Sequence, residues 1–416
     1  MDPRGGKSCE DVKQIPISIG KESFEVVSKP GLVDWDEIPI SAQIMAQYAE
    51  LPSPGNALLF GCHNGALGVF LTRRYPHCAL WVTDHDSIAL EMTRRTLAIN
   101  QVESVSLFSD IEPGEAFTQF FDVALIQLPK GRKLTRRWLL QACRALKTGG
   151  ILYIAGANQS GIQSAINDAR ELLSNGQILG YKKGHRIARL MRESTGKPLP
   201  TWVEEPGVAP GTWQEFSIGL SGHTFKIHSL PGVFSYDHLD VGTQVLLEQI
   251  QIDSGARVLD VGCGYGIIGM LAAIQGAGWV DLIDSDLYAV ASAKESIQVN
   301  KIDQATVYTG DLLAPVGAYR YDLILSNPPF HAGLAVDYQI AEALIWQSYR
   351  ALNPGGQLTI VANRFIPYDR LIEEVFGNVT KLSETRRFHV LSGLKSTGES
   401  RYRIGRSNGR SDHSHD

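Results

Sequence analysis

An internal repeat limits what this chain can fold into more than any other feature. Gly61, Cys62, Gly65 and Gly68 stand 201 residues before Gly262, Cys263, Gly266 and Gly269. The register then holds at 200, with Asp86 facing Asp286, Asn100 facing Asn300, Asp122 facing Asp322 and Pro129 facing Pro329. Residues 144–158 align with residues 350–363, and Arg144 and Arg350 are 206 apart, so the second copy has gained six residues between Pro329 and Arg350. Ordered coincidences of this kind mean duplication. A chain of 416 residues is also too long for one ordinary core, and two domains of about 200 residues each suit it.

Each copy alternates short apolar runs with longer amphipathic segments, the pattern of an α/β domain with a parallel sheet covered by helices on both faces. In the second copy the strands are expected at residues 258–261, 279–283, 306–309, 323–326 and 358–362. The domains are read as residues 1–193 and 211–404. A Pro-, Gly- and Thr-rich linker over 194–210 separates them, and a polar tail over 405–416 reads as disordered. Residues 215–229 read as a hairpin turning at Ser221 and Gly222.

Composition narrows the function classes. The first thirty residues are polar and hold no apolar leader, and no run approaches the roughly 20 apolar residues of a membrane helix. Five scattered cysteines form no CxxC pair or Cys/His cluster, so no metal is expected, and reduced thiols in a cytoplasmic setting are. His413 and His415 read as solvated. The net charge of −5 is uneven: residues 1–200 are net +3 and the remainder is net −8. The first half is the one suited to a polyanion.

The chemistry is expected in the second copy. "VLDVGCGYG" ends a strand in a glycine-rich turn where backbone can approach a ligand closely. Asp284, at the end of the next strand, can accept both hydroxyls of a ribose. Asp311, after the third strand, can accept from an adenine amine. The chain lacks a diphosphate fingerprint and a Walker lysine, so an adenosine with a non-phosphate tail fits best. "SNPPF" then supplies acceptors without donors, because its prolines have no N–H. Asn327 adds a side-chain carbonyl, and Phe330 adds a face for stacking. Oxygen acceptors that take both hydrogens of a planar amine favour a pyramidal nitrogen whose lone pair can attack a methyl group. No enzymic nucleophile is needed, and His331 reads as a surface residue.

These residues identify a resemblance. The strings "LPGVFSYDHLDVGTQVLL", "VLDVGCGYG", "SNPPFHAG" and "IVANRFIPYDRLIEEVFGN" resemble bacterial ribosomal RNA guanine-N2 methyltransferases of the small-domain type. The resemblance covers nearly the whole chain. It implies two tandem Rossmann-like class I methyltransferase domains, the N-terminal one degenerate, and S-adenosylmethionine as cofactor. Asp260, Gly262, Gly264, Asp284 and Asp311 would line the donor pocket, with Phe234 near its methionine end, and Asn327, Pro328 and Phe330 would hold the guanine. Ribosomal RNA or a ribosomal subunit is the implied partner, and a monomer is expected. Adenine N6 and a protein glutamine amide remain alternative acceptors for such a corner. A non-catalytic RNA-binding assembly factor is the alternative outside enzymes.

The first copy departs from the pattern. "LFGCHNG" lacks the counterpart of Asp260 and puts His63 where Gly264 should be, and "QLPK" replaces "NPPF". Residues 130–147 carry seven basic residues and no acid. At 100° per residue, Lys133, Arg136, Arg137, Arg144 and Lys147 share one helix face. With the basic run at residues 181–192, they are expected to dock RNA. The longer loop after Pro329, over residues 330–335, is expected to act as a gate.

Overall fold

The computed structural model describes residues 12–32, 34–109, 114–173, 176–194, 198–328 and 334–397. The first copy opens with a hairpin, β1 (Lys13–Ile19) and β2 (Glu22–Ser28). It continues through α1 (Ile40–Tyr48), β3 (Gly55–Phe60), α2 (Ala66–Arg74), β4 (Cys78–Thr83), α3 (Ser87–Ile99) and β5 (Val105–Phe108). It closes with β6 (Phe121–Gln127), α4 (Arg132–Ala145), β7 (Leu146–Ala157), α5 (Ile162–Leu172), β8 (Gln177–Lys182) and β9 (His185–Met191).

The second copy repeats the plan. Its hairpin is β10 (Gln214–Leu220) and β11 (His223–Ser229). Then come α6 (Val241–Leu247), β12 (Arg257–Val261), α7 (Ile267–Ile274), β13 (Trp279–Asp284), α8 (Leu287–Val299) and β14 (Ala305–Thr309). It ends with β15 (Tyr321–Ser326), α9 (Leu334–Ala351), β16 (Leu352–Asn363), α10 (Tyr368–Phe376), β17 (Thr380–Glu384) and β18 (Phe388–Leu394).

Each copy builds a seven-stranded sheet, in the orders β5-β4-β3-β6-β7-β9-β8 and β14-β13-β12-β15-β16-β18-β17. Five strands of each are parallel as expected; the sequence reading missed the next strand, β9 or β18, which runs antiparallel to them, and the edge strand, β8 or β17, which pairs antiparallel with it and so runs the same way as the five. Central strands such as β12 and β15 are buried on both faces, hence their unbroken apolar runs. Strand order reverses between β12 and β15. In an open α/β sheet, ligands bind in the crevice outside the carboxyl ends at such a point. Turns on those two ends carry Gly262 and Asn327.

The hairpin at 214–229 forms as expected, with Ser221 and Gly222 at φ of +50° and +77° in its tight turn. Its strand β11 packs on α8, where the Ser296 and Ser292 hydroxyls accept from the backbone N–H groups of His228 and Leu230. The segment read as a linker is not a loose connector. Trp202, Val203 and Val208 are buried against Leu140 of α4. The tail at 405–416 lies outside the described residues.

The two copies face each other about a local twofold relation. Ser87 N–H donates to the Ser285 carbonyl at 2.9 Å, and Leu287 N–H donates to the His85 carbonyl at 2.7 Å. Asp86 and Asp286 form an antiparallel bridge there, and each caps the helix that follows it. His85 adds an ion pair to Asp286 at 3.2 Å. Repeat positions thus meet their own counterparts, the contact that a symmetric dimer makes between two chains.

That contact uses the basic helix. Arg137 is 1% exposed, lies over the Tyr288 ring and donates to the Gly207 carbonyl. Trp138 donates its indole N–H to the Tyr288 hydroxyl at 3.0 Å. Arg136 pairs with Asp168 and Glu205, Lys133 reaches Gln214 and the Tyr236 ring, and Lys147 pairs with Asp122. Of the five residues expected to dock RNA from this helix, Arg144 alone is exposed. The expectation of one free basic face is therefore corrected: the second copy and the chain that links it cover most of that face.

Candidate active site

A cavity of about 390 Å³ opens at the carboxyl ends of β12, β13 and β15. Its floor is the turn from β12 into α7. Gly262, Gly264 and Gly266 have φ of +72°, +56° and +88°, conformations that L side chains rarely adopt. A Cβ placed on Gly262 would meet nothing within 4 Å, so open space lies over the backbone where a ligand must approach. Gly262 and Gly264 line the cavity.

Asp260 does not line it. This side chain is fully buried behind the turn, where Oδ2 accepts from Gly269 N–H at 3.0 Å and Oδ1 has no hydrogen-bond partner. Burial pushes its carboxyl up to about 7. Its place is to brace the turn against α7, one layer behind the ligand space.

Asp284 does line the cavity and is held by two backbone donors. Gly264 N–H meets Oδ2 and Asp286 N–H meets Oδ1, both at 2.9 Å. Burial, with Asp286 beside it, raises its carboxyl to about 6. Asp311 lines the far end and forms an ion pair with Lys29, 282 residues earlier in the chain. Lys29 is 6% exposed and belongs to the first copy. Pro30, Gly31, Asp86 and Ile88 of the first copy also line the cavity, and Gly31 sits against Ile340. The first copy is thus part of the wall, which sequence reasoning missed because no local signal marks a residue that reaches across domains. Phe234 also lines the cavity, at 48% exposure.

Asn327 has the most informative geometry. Its Nδ2 donates to Thr243 Oγ1 at 2.8 Å and to Asp240 Oδ2 at 3.2 Å. A carboxylate only accepts, so the amide cannot flip without setting oxygen against oxygen. Its Oδ1 is therefore left buried and with no hydrogen-bond partner, on a residue that lines the cavity. Asp240 also accepts from Thr243 N–H at 2.8 Å, capping α6. Pro328 lines the cavity beside Asn327. Phe330, His331 and most of the expected gate at 330–335 lie outside the described residues.

The first copy keeps the backbone of this site and fills its space. His63 holds φ of +50°, matching Gly264, and Gly61 and Gly65 match Gly262 and Gly266. A Cβ on Gly61 would lie 3.2 Å from the Gln127 Cβ and 3.6 Å from a Trp138 ring carbon. Gln127, in the place of Asn327, turns its amide back onto the Gly61 carbonyl and accepts from the Ser41 hydroxyl. The crevice is plugged by its own side chains.

The open cradle in the second copy leaves room over Gly262 and brings the carboxylates of Asp284 and Asp311 and the ring of Phe234 to one cavity, a lining compatible with an adenosine. The unpartnered Asn327 oxygen fits a second molecule bearing an amine. Among the described residues no group of acidic, histidine or cysteine side chains is spaced to hold a metal ion, and no helix is long and apolar enough to cross a membrane.

Comparisons with known proteins agree with this geometry. The family model described as Methyltransferase small domain matches residues 23–189 and again residues 224–392. The ribosomal RNA small subunit methyltransferase C of Chromohalobacter salexigens is 36% identical over 277 residues, covering 66% of this chain and 78% of the relative. Its namesake from Vibrio vulnificus is 31% identical over 323 residues, covering 74% and 91%. Among solved structures, a T. thermophilus 16S rRNA guanine-N2 methyltransferase in complex with AdoMet and guanosine aligns with a TM-score of 0.79 at 27% identity. That alignment covers 93% of this chain and 99% of the other.

Proposed function

The chain belongs to the small-domain methyltransferase family, and from that premise we propose that it moves a methyl group from S-adenosylmethionine to the exocyclic N2 amine of a guanine in small-subunit ribosomal RNA. The observation that carries the reading is the buried, unpartnered Oδ1 of the cavity-lining Asn327, whose amide Asp240 and Thr243 orient through Nδ2. A buried acceptor left unpaired costs about 1–3 kcal/mol, which an amine hydrogen of the substrate relieves.

The donor, when bound, supplies a methyl group already activated by its sulfonium. Gly262 and Gly264 leave room for its backbone approach, Asp284 takes the ribose hydroxyls and Asp311 the adenine amine. Asn327 Oδ1 accepts one hydrogen of the guanine N2, which turns the nitrogen lone pair toward the methyl carbon. In the transfer the guanine N2 would gain the N–C bond as the donor's C–S bond broke with its electrons left on sulfur, and the proton shed by the amine would pass to solvent. Catalysis by these residues is mainly orientation and placed hydrogen bonds.

A ribosomal substrate supports a cytoplasmic setting for the enzyme. The pairing of the two copies within one chain already supplies the symmetric contact a dimer would make, which supports action as a monomer. RNA docking by the first copy then rests on Arg144 and the basic run at 181–192, where Lys183 and Arg189 are exposed.

The test is mass spectrometry of nucleosides from small-subunit ribosomal RNA treated with enzyme and donor. N2-methylguanosine is the expected product. Methylated adenine, or a methylated protein glutamine with unmodified RNA, would replace the proposed acceptor. A chain that binds no donor would leave the non-catalytic alternative.

A further inference from the structure

The carboxyl rim of the second sheet carries a group of residues that the reaction does not use. Past the end of β16, Phe365 is 71% exposed, the most exposed large apolar side chain among the described residues. The backbone there is held firmly, because Arg364 N–H donates to the Arg387 carbonyl at 2.9 Å. The β17–β18 turn therefore stands beside Phe365, and its Arg386 and Arg387 are both exposed. Arg364 itself is tied to Glu384 at 2.7 Å and props the turn.

This corner is continuous with the acceptor site. The β15 and β16 strands are parallel neighbours, with Ser326 opposite Ile360, so Asn327 and Phe365 leave the sheet on the same rim. Phe388, next to Arg387, packs so closely on α6 that a Cβ on Gly242 would lie 3.1 Å from its ring. Gly242 is two residues from Asp240, which orients Asn327.

The first copy serves as an internal control. Its backbone makes the same corner, with Asn158 N–H donating to the Gly184 carbonyl at 2.8 Å. Asn363 pairs with Phe388 where Ala157 pairs with His185. Gln159 accordingly occupies the place of Phe365, and Lys183 and Gly184 the places of Arg386 and Arg387. At these three matched positions the first copy has neither the aromatic residue nor the guanidinium pair, although Tyr181 and Arg186 stand on its neighbouring strands.

We propose that Phe365, Arg386 and Arg387 form a landing corner for the unpaired RNA strand flanking the target guanine. A neighbouring base stacks on Phe365 and backbone phosphates meet the two arginines. Exposed aromatic faces beside cations are how proteins hold single strands without reading their sequence. The proposal rests on the RNA guanine reading above and adds a substrate surface on the catalytic copy itself.

Steady-state transfer to a short unstructured RNA with one guanine tests it, alongside free guanosine, which has no flanking strand. Phe365→Ala should raise KM for the RNA on the order of tenfold, with guanosine kinetics and donor affinity unchanged, and Phe365→Trp should restore the wild-type KM. Arg386→Glu with Arg387→Glu should flatten the logarithmic salt dependence of RNA affinity by about 1.4, from roughly 0.7 for each phosphate contact. If the wild type methylates the RNA and these variants keep its KM and salt slope, the landing corner is wrong and the enzyme's function stands. Equal losses for RNA and guanosine would also overturn it, since they place the effect in the acceptor pocket. A wild type that methylates no RNA removes the proposal together with the reading beneath it.

Discussion

Replacing Asp240 with asparagine isolates the device that aims Asn327. Asparagine is as good a helix cap as aspartate, so α6 keeps its start. What changes is the constraint on the Asn327 amide. A carboxylate forbids the flipped orientation, whereas a second amide can turn and satisfy either one. The charged hydrogen bond, worth about 1.5–3 kcal/mol, becomes a neutral one worth about 0.5–1.5 kcal/mol. Thr243 at 2.8 Å still holds the nearer side of the amide, and the Asp240 contact is the longer one at 3.2 Å. The lower end of the difference, about 1 kcal/mol, therefore applies, and kcat should fall roughly fivefold. Asn327→Ala removes the acceptor altogether and should cut kcat by about 10²-fold or more, with donor affinity near normal. The decisive assay is the double variant in single-turnover kinetics. With the oxygen gone there is nothing left to aim, so Asp240→Asn should add no further loss. Multiplying losses would refute the idea that Asp240 acts through Asn327.

Three other outcomes follow from the same geometry. Lys29→Met should weaken donor binding roughly fivefold in calorimetry while kcat at saturating donor holds. The loss stays below that of a fully buried pair because Asp311 is partly exposed to solvent. Gly262→Ala should abolish donor binding by filling the cradle, whereas Gly61→Ala, pressed against Gln127, should lower thermal stability and leave donor binding intact. Donor affinity should fall as pH is lowered through about 6, because Asp284 takes up a proton there and donor binding requires its ionised form. The stability sign is opposite. The folded apo chain holds that proton more tightly than the unfolded chain, whose carboxyl titrates near the ordinary value of about 4. The apo protein therefore gains stability from this group as pH drops from above 6 toward that value, and calorimetric titrations with melting curves across this range check both signs.

What the sequence revealed depended on how local each signal was. The glycine turn, Asp284, Asp311 and the Asn327 corner were legible because each lies at a strand end within a short string. The repeat was legible because the two copies still share single residues at a fixed offset, such as Gly61 with Gly262 and Pro129 with Pro329, even where their turns have diverged. Asp240 sat inside a recognised string, yet its role is a hydrogen bond across 87 residues, which no spacing rule conveys. Lys29 is farther still from Asp311. The basic helix was misread for a physical reason. A periodic run of arginines looks solvated until a partner surface covers it, and here that surface is Tyr288 and the Gly207 backbone of the same chain. Asp260 was placed in the pocket on its motif alone, where burial puts it one layer behind. The one reversed strand of each sheet, β9 and β18, was missed because short apolar runs do not reveal direction.

The account turns on one copy being open and the other plugged, and donor stoichiometry measured by calorimetry tests this most directly. One S-adenosylmethionine should bind per chain, binding should vanish with Asp284→Ala, and it should survive Asp84→Ala, the matching change in the first copy. Two donors per chain, or binding that follows Asp84 in place of Asp284, would contradict it.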